Sequence, residues 1–326
     1  MCAPSTCAPG SDAARGAAVN EFDLIRRHFA APASGAVTLG VGDDAALLQP
    51  PEGREIALSC DTLVSGRHFL PDDDPAGIAW KALNVNLSDL AAMGAEAECF
   101  LLALTLPAFD GPWLDTFADG LRRAAGATGV PLAGGDTTRG PLAITITAVG
   151  SVEAGGALRR CGARAGDLLC VTGTLGDAAA ALAGADDPAL RERLHRPTAR
   201  LAAGRALRGL ARAAIDVSDG LLADAGHLCA SSSVGAVIRA DLLPCSDALA
   251  AYPDDDTRLA WQATGGDDYE LAVALAPEVV ETAVTRCRGV ATSLTVVGRF
   301  TTAKTVRLLR ADGTEAFMES GGYRHF

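Results

Sequence analysis

Segments with the apolar pattern of strands alternate with segments of helical periodicity along both halves of this 326-residue chain. The clearest helix is predicted at 75–94, with a proline at its first position after Asp74 and a stop at Gly94. Clear strand patterns lie at 55–61 in the first half and at 269–275 in the second. Alternation of this kind restricts the fold to the α/β or α+β class.

A glycine- and arginine-rich stretch at 153–167 separates the two halves. The chain is too long for one ordinary hydrophobic core, so we expect two domains, at 20–152 and 153–326. Residues 1–19 are mostly small and have no apolar core of signal-peptide length, which predicts a flexible tail. No apolar run reaches the ~20 residues that a membrane-spanning helix requires.

The chain is acidic, with 28 Lys and Arg residues against 40 Asp and Glu residues and a net charge of −12. Such a surface, with only 5% aromatic residues, does not favour binding to nucleic acid or to an anionic membrane. The nine cysteines form no C-x-x-C pattern, and their odd number argues against a disulfide framework. We therefore expect reduced thiols and a cytoplasmic location.

Six aspartate motifs stand at the ends of apolar segments, beside small residues that let the backbone approach a ligand. A carboxylate in such surroundings is costly unless it is paired or binds a metal ion. Lysine occurs only at Lys81 and Lys304, so we expect metal ions rather than lysines to neutralise these carboxylates. Oxygen ligands favour Mg²⁺, Mn²⁺ or Ca²⁺, and several Mg²⁺ ions on a polyphosphate would predict phosphoryl transfer. The motifs are GVGDDAAL (40–47), SCDTLVSG (59–66), NLSDLAAMG (86–94), AGGDTTRG (133–140), IDVSDG (215–220) and TGGDDYE (264–270).

Each motif also has a simpler interpretation as a turn, a helix cap or a buried strand end. Asn86 and Asp89, however, are three residues apart in an apolar stretch, so a helix would place them on one face. GVGDDA begins like a dinucleotide-binding turn, but no helix pattern follows it. DVSDG resembles the nucleophile turn of serine hydrolases, with Asp216 in place of the first glycine. A serine hydrolase that uses Ser218 and a nucleotide-binding protein without activity therefore stay open as alternatives.

A family resemblance extends over the chain from about Glu21 to Phe326. Seven strings carry it: GVGDDAALL, DTLVSGRHFLPDDDP, KALNVNLSDLAAMGA, GGDTTRGPL, VTGTLGDAAAAL, AIDVSDGLLADAGHL and GGDDYEL. In their order and spacing the chain resembles the thiamine-monophosphate kinases of the AIR-synthetase-like (PurM-like) ATP-binding superfamily. The resemblance implies a two-domain PurM-like fold of the α/β (α+β) class. It also implies a homodimer in which the N-terminal domains of two subunits form a shared β-barrel.

The implied activity is Mg²⁺-dependent transfer of phosphate from ATP to thiamine phosphate, which gives thiamine diphosphate and ADP. The transfer would be direct and in line, assisted by several Mg²⁺ ions and without a catalytic side chain, because the acceptor is an ionised phosphate oxygen. Another ATP-dependent synthetase of the superfamily is the alternative. Selenophosphate synthetase, for example, would require a reactive cysteine beside a lysine near the N-terminus, whereas Cys2 and Cys7 lie in a tail without lysine.

The resemblance also implies roles for individual residues. The implied metal ligands are Asp44, Ser59, Cys60, Asp61, Asp89, Asp136, Asp216 and Asp219. The implied nucleotide-binding residues are Gly135, Asp136, Arg160 and Ser218, and the implied substrate-binding residues are His68, Asp267 and Tyr323. Cys60 and Asp267 depart from the family pattern, which commonly has threonine and glutamate there, and Tyr323 occupies an aromatic position that varies.

Overall fold

The structure, a computed structural model, describes residues 21–30, 34–41, 45–318 and 322. The expected tail at 1–19 and the candidate site residues Asp44 and Tyr323 lie outside the described residues. The helices are α1 (Glu21–His28), α2 (Pro75–Ala92), α3 (Gly111–Thr128), α4 (Asp177–Leu182), α5 (Pro188–His195), α6 (Leu201–Leu207), α7 (Leu221–Ser232), α8 (Asp247–Ala250), α9 (Asp255–Thr264) and α10 (Val280–Gly289). The strands are β1 (Val37–Leu39), β2 (Leu47–Leu48), β3 (Arg54–Val64), β4 (Glu96–Leu106), β5 (Leu132–Arg139), β6 (Ala143–Glu153), β7 (Leu168–Thr172), β8 (Ala211–Val217), β9 (Gly235–Arg239), β10 (Glu270–Leu275), β11 (Leu294–Thr301) and β12 (Val306–Leu309).

The first half is built on a four-stranded sheet in the order β3-β6-β4-β5. Adjacent strands in this sheet are antiparallel, except for the parallel pair β4–β5. Side chains alternate between the two faces of a sheet, and the even-numbered residues of β4 and β6 pack on the helices. Phe100, Leu104, Ile144 and Ile146 are almost completely buried in this way.

The opposite face of the same sheet is partly open and apolar. The β1–β2 hairpin covers one end of it, where Val37 packs with Cys99 and Val149. Beyond the hairpin, Ile56 is 44% exposed and Leu58 is 68% exposed. We refer to the strand residues on this side, including Ile56, Leu58 and Leu101, as the open sheet face; a continuous apolar surface of this kind is typical of a protein contact.

Helix α2 packs against strands of both large sheets and therefore connects the two halves. It begins as the sequence predicts, with Asp74 as its N-cap and Pro75 in its first turn, and the chain leaves it at Gly94 with φ +63°. Gly204 of α6 approaches the end of α2 so closely that a Cβ atom there would lie 2.0 Å from the carbonyl oxygen of Ala91. This contact, which only glycine permits, fixes α2 against the second half.

The second half contains a six-stranded sheet in the order β12-β9-β11-β7-β10-β8. Only the pair β12–β9 is parallel. Every residue of β10 is buried, which agrees with its near-continuous apolar sequence. The predicted α/β (α+β) class is confirmed, and the mainly antiparallel pairing makes α+β the closer description.

Local features set two helix boundaries in the second half. Helix α6 ends at Leu207, because Gly209 turns the chain with φ +73° and strand β8 follows. Helices α8 and α9 are separate, because the Asp254 carboxylate caps the start of α9. Among the described residues, no helix has both the length and the apolar character needed to cross a membrane.

Candidate active site

A cavity of about 980 Å³ lies where β3 and α2 of the first half face β8 and the 264–270 loop of the second. It is large enough for a nucleotide-sized ligand. Eight of the residues singled out in the sequence line it: Asp61, His68, Asp89, Arg160, Asp216, Ser218, Asp219 and Asp267. Residues more than 150 positions apart in the chain therefore form one surface.

The wall from the first half pairs a strand with a helix. Ser59 and Asp61 lie on the side of β3 that faces α2, and the Ser59 hydroxyl donates a hydrogen bond to the Asp89 carboxylate. The Asp61 backbone N–H donates to Asn86 Oδ1 at 2.8 Å. The prediction that Asn86 and Asp89 share one helix face is confirmed. Through these two hydrogen bonds, that face of α2 holds β3 in place.

The wall from the second half is the end of β8 and the turn that follows it. Asp216 is 4% exposed, near the carboxyl end of the strand. In the turn, the backbone N–H groups of Ser218, Asp219 and Gly220 all donate to Oδ2 of Asp224, each at 3.1 Å. One carboxylate oxygen thus organises the turn that carries both Ser218 and Asp219.

Two of these carboxyl groups have strongly raised pKa values. Burial raises the pKa of Asp216 to about 7, and the nearby charge of Asp89 contributes to the increase. Burial likewise raises the pKa of Asp224 to about 7, with contributions from Asp216 and Asp219. The charged carboxylates repel one another across the cavity, and an added cation would relieve this repulsion.

The 264–270 loop presents Asp267 to the cavity. The Lys81 ammonium donates to Asp267 Oδ2 at 2.8 Å and to the His68 carbonyl oxygen at 3.2 Å. The Tyr269 hydroxyl donates to the other carboxylate oxygen, Asp267 Oδ1, at 2.7 Å. Both Asp267 and Tyr269 have positive φ, +67° and +51°, a conformation that costs energy in residues other than glycine.

Buried ion pairs hold this strained loop from behind. Glu270, with no exposed surface, accepts hydrogen bonds from Thr172 Oγ1 at 2.7 Å, Arg193 at 2.9 Å and Arg200 Nε at 2.7 Å. Asp268 is also buried and accepts the backbone N–H of Gly176 at 2.9 Å. The second and third acidic residues of the GGDDYE motif therefore fix the loop, while the first faces the cavity.

Gly135 and Asp136 lie away from this cavity. They occupy β5, at the edge of the sheet opposite β3, and Asp136 is paired with Ala103 on the open sheet face. There they line a second cavity of about 620 Å³. Within one chain Asp136 does not reach the main cavity, because three strand spacings of about 4.8 Å separate β5 from β3.

Comparisons with known proteins decide the family. Two family models of the AIR synthase related protein match this chain. The model of the N-terminal domain matches residues 42–152, and the model of the C-terminal domain matches residues 164–309. The thiamine-monophosphate kinase of Salmonella typhimurium is 45% identical over 322 residues, which cover 95% of this chain and 99% of the relative. This chain belongs to the thiamine-monophosphate kinase family. It is accordingly a kinase, as the sequence predicts.

Solved structures of thiamine-monophosphate kinases have the same fold. The crystal structure of thiamine-monophosphate kinase from Stenotrophomonas maltophilia is 44% identical, with a TM-score of 0.81 over 86% of this chain and 92% of that one. The structure of AaThiL complexed with AMPPCP and TMP is 31% identical, with a TM-score of 0.74 over 88% of this chain and 92% of that one. The two-domain PurM-like fold expected from the sequence is therefore confirmed.

The kinase structure corrects two interpretations of site residues. The Cys60 side chain points away from Ser59 and Asp61, to the open sheet face, where its Sγ accepts a hydrogen bond from Thr147 Oγ1 at 3.4 Å. Only the backbone of Cys60 is left on the side of the cavity. The expectation that lysine neutralises none of the motif carboxylates is also wrong, because Lys81 pairs with Asp267.

Some residues of the kinase site were missed by the sequence analysis. Lys81 and Asp224 lie within the family strings, eight residues from Asp89 and five residues from Asp219, but a lysine or aspartate on a helix has no distinctive pattern. His227, one turn after Asp224 on α7, lies with Asp224 and Asp219 so that their ligand atoms are within 4.8 Å of one another. The i, i+3 spacing of Asp224 and His227 was the signal that could have suggested this cluster.

The metal-free kinase is expected to become less stable as the pH rises from 4 to 8. An acid whose pKa is raised by folding binds more protons in the folded chain than in the unfolded chain, so stability falls as it ionises. For Asp216 the fall lies between its unfolded value of 3.8 and its folded value of about 7. Thermal unfolding in EDTA measures it, and Asp216→Asn should flatten the decline. A melting temperature that depends on pH equally in both proteins would contradict the assignment.

Proposed function

We propose that this chain uses ATP to phosphorylate thiamine phosphate, producing thiamine diphosphate and ADP in a Mg²⁺-dependent reaction. One observation carries the proposal: carboxylates from both halves line a single large cavity beside His68 and Asp267. The relatives named thiamine-monophosphate kinase, and the AaThiL complex with AMPPCP and TMP, support this choice of substrates.

The cavity has the chemistry that Mg²⁺ ions require. The donors are hard carboxylate and hydroxyl oxygens, which suit Mg²⁺ better than metals that prefer nitrogen or sulfur. Asp61, Asp89, Asp216 and Asp219 are the residues that would hold the ions, with Ser59 beside Asp89. Burial and, after it, the nearby charge of Asp89 raise the pKa of Asp216, and a bound cation would favour its charged form. Bound Mg²⁺ would neutralise the charge that two sets of phosphate oxygens bring together.

The protein residues then act by binding and orienting. The acceptor phosphate oxygen is already ionised near neutral pH, so no side chain has to remove a proton from it. Arg160 and the Ser218 turn face the nucleotide side of the cavity, while His68 and Asp267 face the acceptor side. Alignment of the two substrates supplies the rate enhancement that a covalent intermediate provides in other transferases.

Gly135 and Asp136, the other nucleotide-binding residues of this proposal, line the second cavity and so lie apart, within one chain, from Arg160 and Ser218 in the main cavity. Gly135 has φ +153°, and a Cβ atom there would lie 1.8 Å from the Leu102 carbonyl oxygen. No other residue fits there without displacing β4, so glycine is what lets β5 pack this closely against it. Ile25 and Phe29 also line that cavity and make part of its surface apolar.

Purified protein with ATP, Mg²⁺ and thiamine phosphate tests the proposal directly. Thiamine diphosphate should form in amounts equal to the ADP released, and omission of Mg²⁺ in the presence of EDTA should abolish it. A parallel reaction with free thiamine distinguishes a monophosphate kinase from a thiamine pyrophosphokinase. ATP binding without turnover of either thiamine compound would instead favour the non-enzymatic alternative.

We also propose that the kinase is a homodimer formed through the open sheet face. Leu58→Asp places a charge on that face, where Leu58 is 68% exposed. It should raise the dimer dissociation constant at least about thirtyfold, as loss of an interface hot spot does. Light scattering during gel filtration measures the change. Leu242→Asp, at an exposed leucine of the second half, is the matched control, and equal masses for both variants would contradict the proposed interface.

A further inference from the structure

Lys81 is a buried cation in the cavity wall. Its side chain is 7% exposed, whereas the other lysine of the chain, Lys304, is exposed between β11 and β12. A buried ammonium group is costly unless nearby acceptors compensate the lost hydration. The partners of Lys81 therefore indicate what the residue does.

Its two acceptors come from different halves of the chain. One is the His68 carbonyl oxygen at 3.2 Å, in the loop that follows β3. The other is Asp267 Oδ2 at 2.8 Å, in the loop that precedes β10. His68 and Asp267 are the two described residues expected on the acceptor side of the cavity, and Lys81 contacts both of them.

The contact with Lys81 determines how Asp267 is oriented. Its backbone N–H donates to the Ser218 carbonyl oxygen at 3.0 Å, while Tyr269 holds its second carboxylate oxygen. Asp267 is thus fixed at three points, of which Lys81 supplies the only ionic one among the described contacts. The backbone of Asp267 is strained, and such strain persists only where surrounding contacts hold it. A charge-assisted hydrogen bond is one of the stronger contacts of this kind.

His68 is oriented in a similar way. Its ring atom Nδ1 accepts the Val64 backbone N–H at 2.9 Å, which assigns the proton of the neutral ring to Nε2. Its carbonyl oxygen is held by Lys81. Both the ring and the backbone of His68 are therefore set by contacts inside the protein.

The surroundings of Lys81 fit an organic acceptor better than a nucleotide phosphate. Behind it lies a small cavity of about 100 Å³, which shares His68, Lys81 and Asp267 with the main cavity. Phe69 and Ile78 also line it. The ion pair lies at the boundary between the carboxylate-lined space and this mainly apolar recess.

We propose that Lys81 is a positioning residue that joins His68 to Asp267 across the two halves and so shapes the acceptor subsite. The inference rests on the proposed function, because it takes thiamine phosphate as the acceptor. Lys81 does not contact the reacting atoms in this account. Loss of its charge weakens acceptor binding and leaves nucleotide binding nearly unchanged.

Steady-state kinetics of six proteins test the inference: the wild type, Lys81→Met, Lys81→Arg, Asp267→Asn, the double variant Lys81→Met/Asp267→Asn, and the control Lys304→Met. Lys81→Met should raise KM for thiamine phosphate at least about tenfold, the size expected for a lost charge-assisted contact, with KM for ATP within about twofold. Lys81→Arg should restore part of the loss. The loss in the double variant should be clearly smaller than the combined losses of the two single variants, because the two residues act as one unit.

Three results would overturn the inference. KM values for both substrates that rise in parallel with a fall in melting temperature would make Lys81 merely structural. An additive double variant would show that Lys81 acts without Asp267, and unchanged kinetics would remove it from the site. A wild-type protein that neither binds nor phosphorylates thiamine phosphate would overturn the proposed function, and the inference with it; binding can be read separately by calorimetry.

Discussion

Asp89→Asn is expected to lower kcat about a hundredfold, the loss typical when one transition-state charge contact is removed. Asp89 accepts the Ser59 hydroxyl, and its charge raises the pKa of Asp216 across the cavity. An amide keeps the shape of the side chain but contributes no charge toward a bound cation. Initial rates at saturating ATP and thiamine phosphate, over a range of Mg²⁺ concentrations, measure the change.

The same variant should not destabilise the metal-free protein, because it removes repulsion between Asp89 and Asp216. A normal melting temperature in EDTA would therefore separate loss of function from loss of folding. Asp119→Asn is the control: Asp119 is exposed on α3 and pairs with Arg122 at 2.8 Å. If Asp89→Asn retains full activity at limiting Mg²⁺, its assignment as a metal ligand is wrong.

Glu270→Ala is expected to lower the free energy of unfolding by about 3–5 kcal/mol, as when one partner is removed from a buried ion pair. Arg193 and Arg200 would lose their acceptor in a region where water cannot replace it. Urea unfolding followed by the fluorescence of Trp261 measures the loss. The variant should also weaken acceptor binding, since the strained 264–270 loop would no longer be held in place.

Glu192→Ala provides the matched control for that measurement. Glu192 is 63% exposed and lies 3.8 Å from Arg196, so its removal should cost less than about 1 kcal/mol. A loss in Glu270→Ala as small as in this control would mean that the buried pairs contribute little net stability. The loop would then be held mainly by its backbone contacts to Val217 and Ser218.

Helix α2 shows what could be predicted from the sequence. Its start, its end and the shared face of Asn86 and Asp89 all follow from local rules, since capping and helical spacing involve residues close together in the chain. The apolar patterns of the strands also placed acidic residues at strand ends, and Asp216 does lie near the end of β8. These features required no knowledge of which strands pair.

Asp136 and Lys81 show what could not be predicted. The position of Asp136 depends on the strand order, which places β5 at the edge opposite β3 and its side chains on alternate faces. The partner of Lys81 is 186 residues away in the chain, and no local rule connects them. Contacts between residues far apart in the chain decide both the position of Asp136 and the partner of Lys81. A sequence with acidic residues at many strand ends is compatible with several strand pairings.

The rigidity of α2 has a consequence for which molecules this kinase can accept. Lys81 and Asp89 are eight residues apart on one uninterrupted helix, a separation of about 12 Å along its axis. Because α6 and the capped first turn hold the helix in place, the distance between the Lys81–Asp267 ion pair and the Asp89 carboxylate is fixed. If thiamine phosphate is the acceptor as proposed, an analogue with a longer or shorter spacer between ring and phosphate should bind poorly, even with every functional group retained.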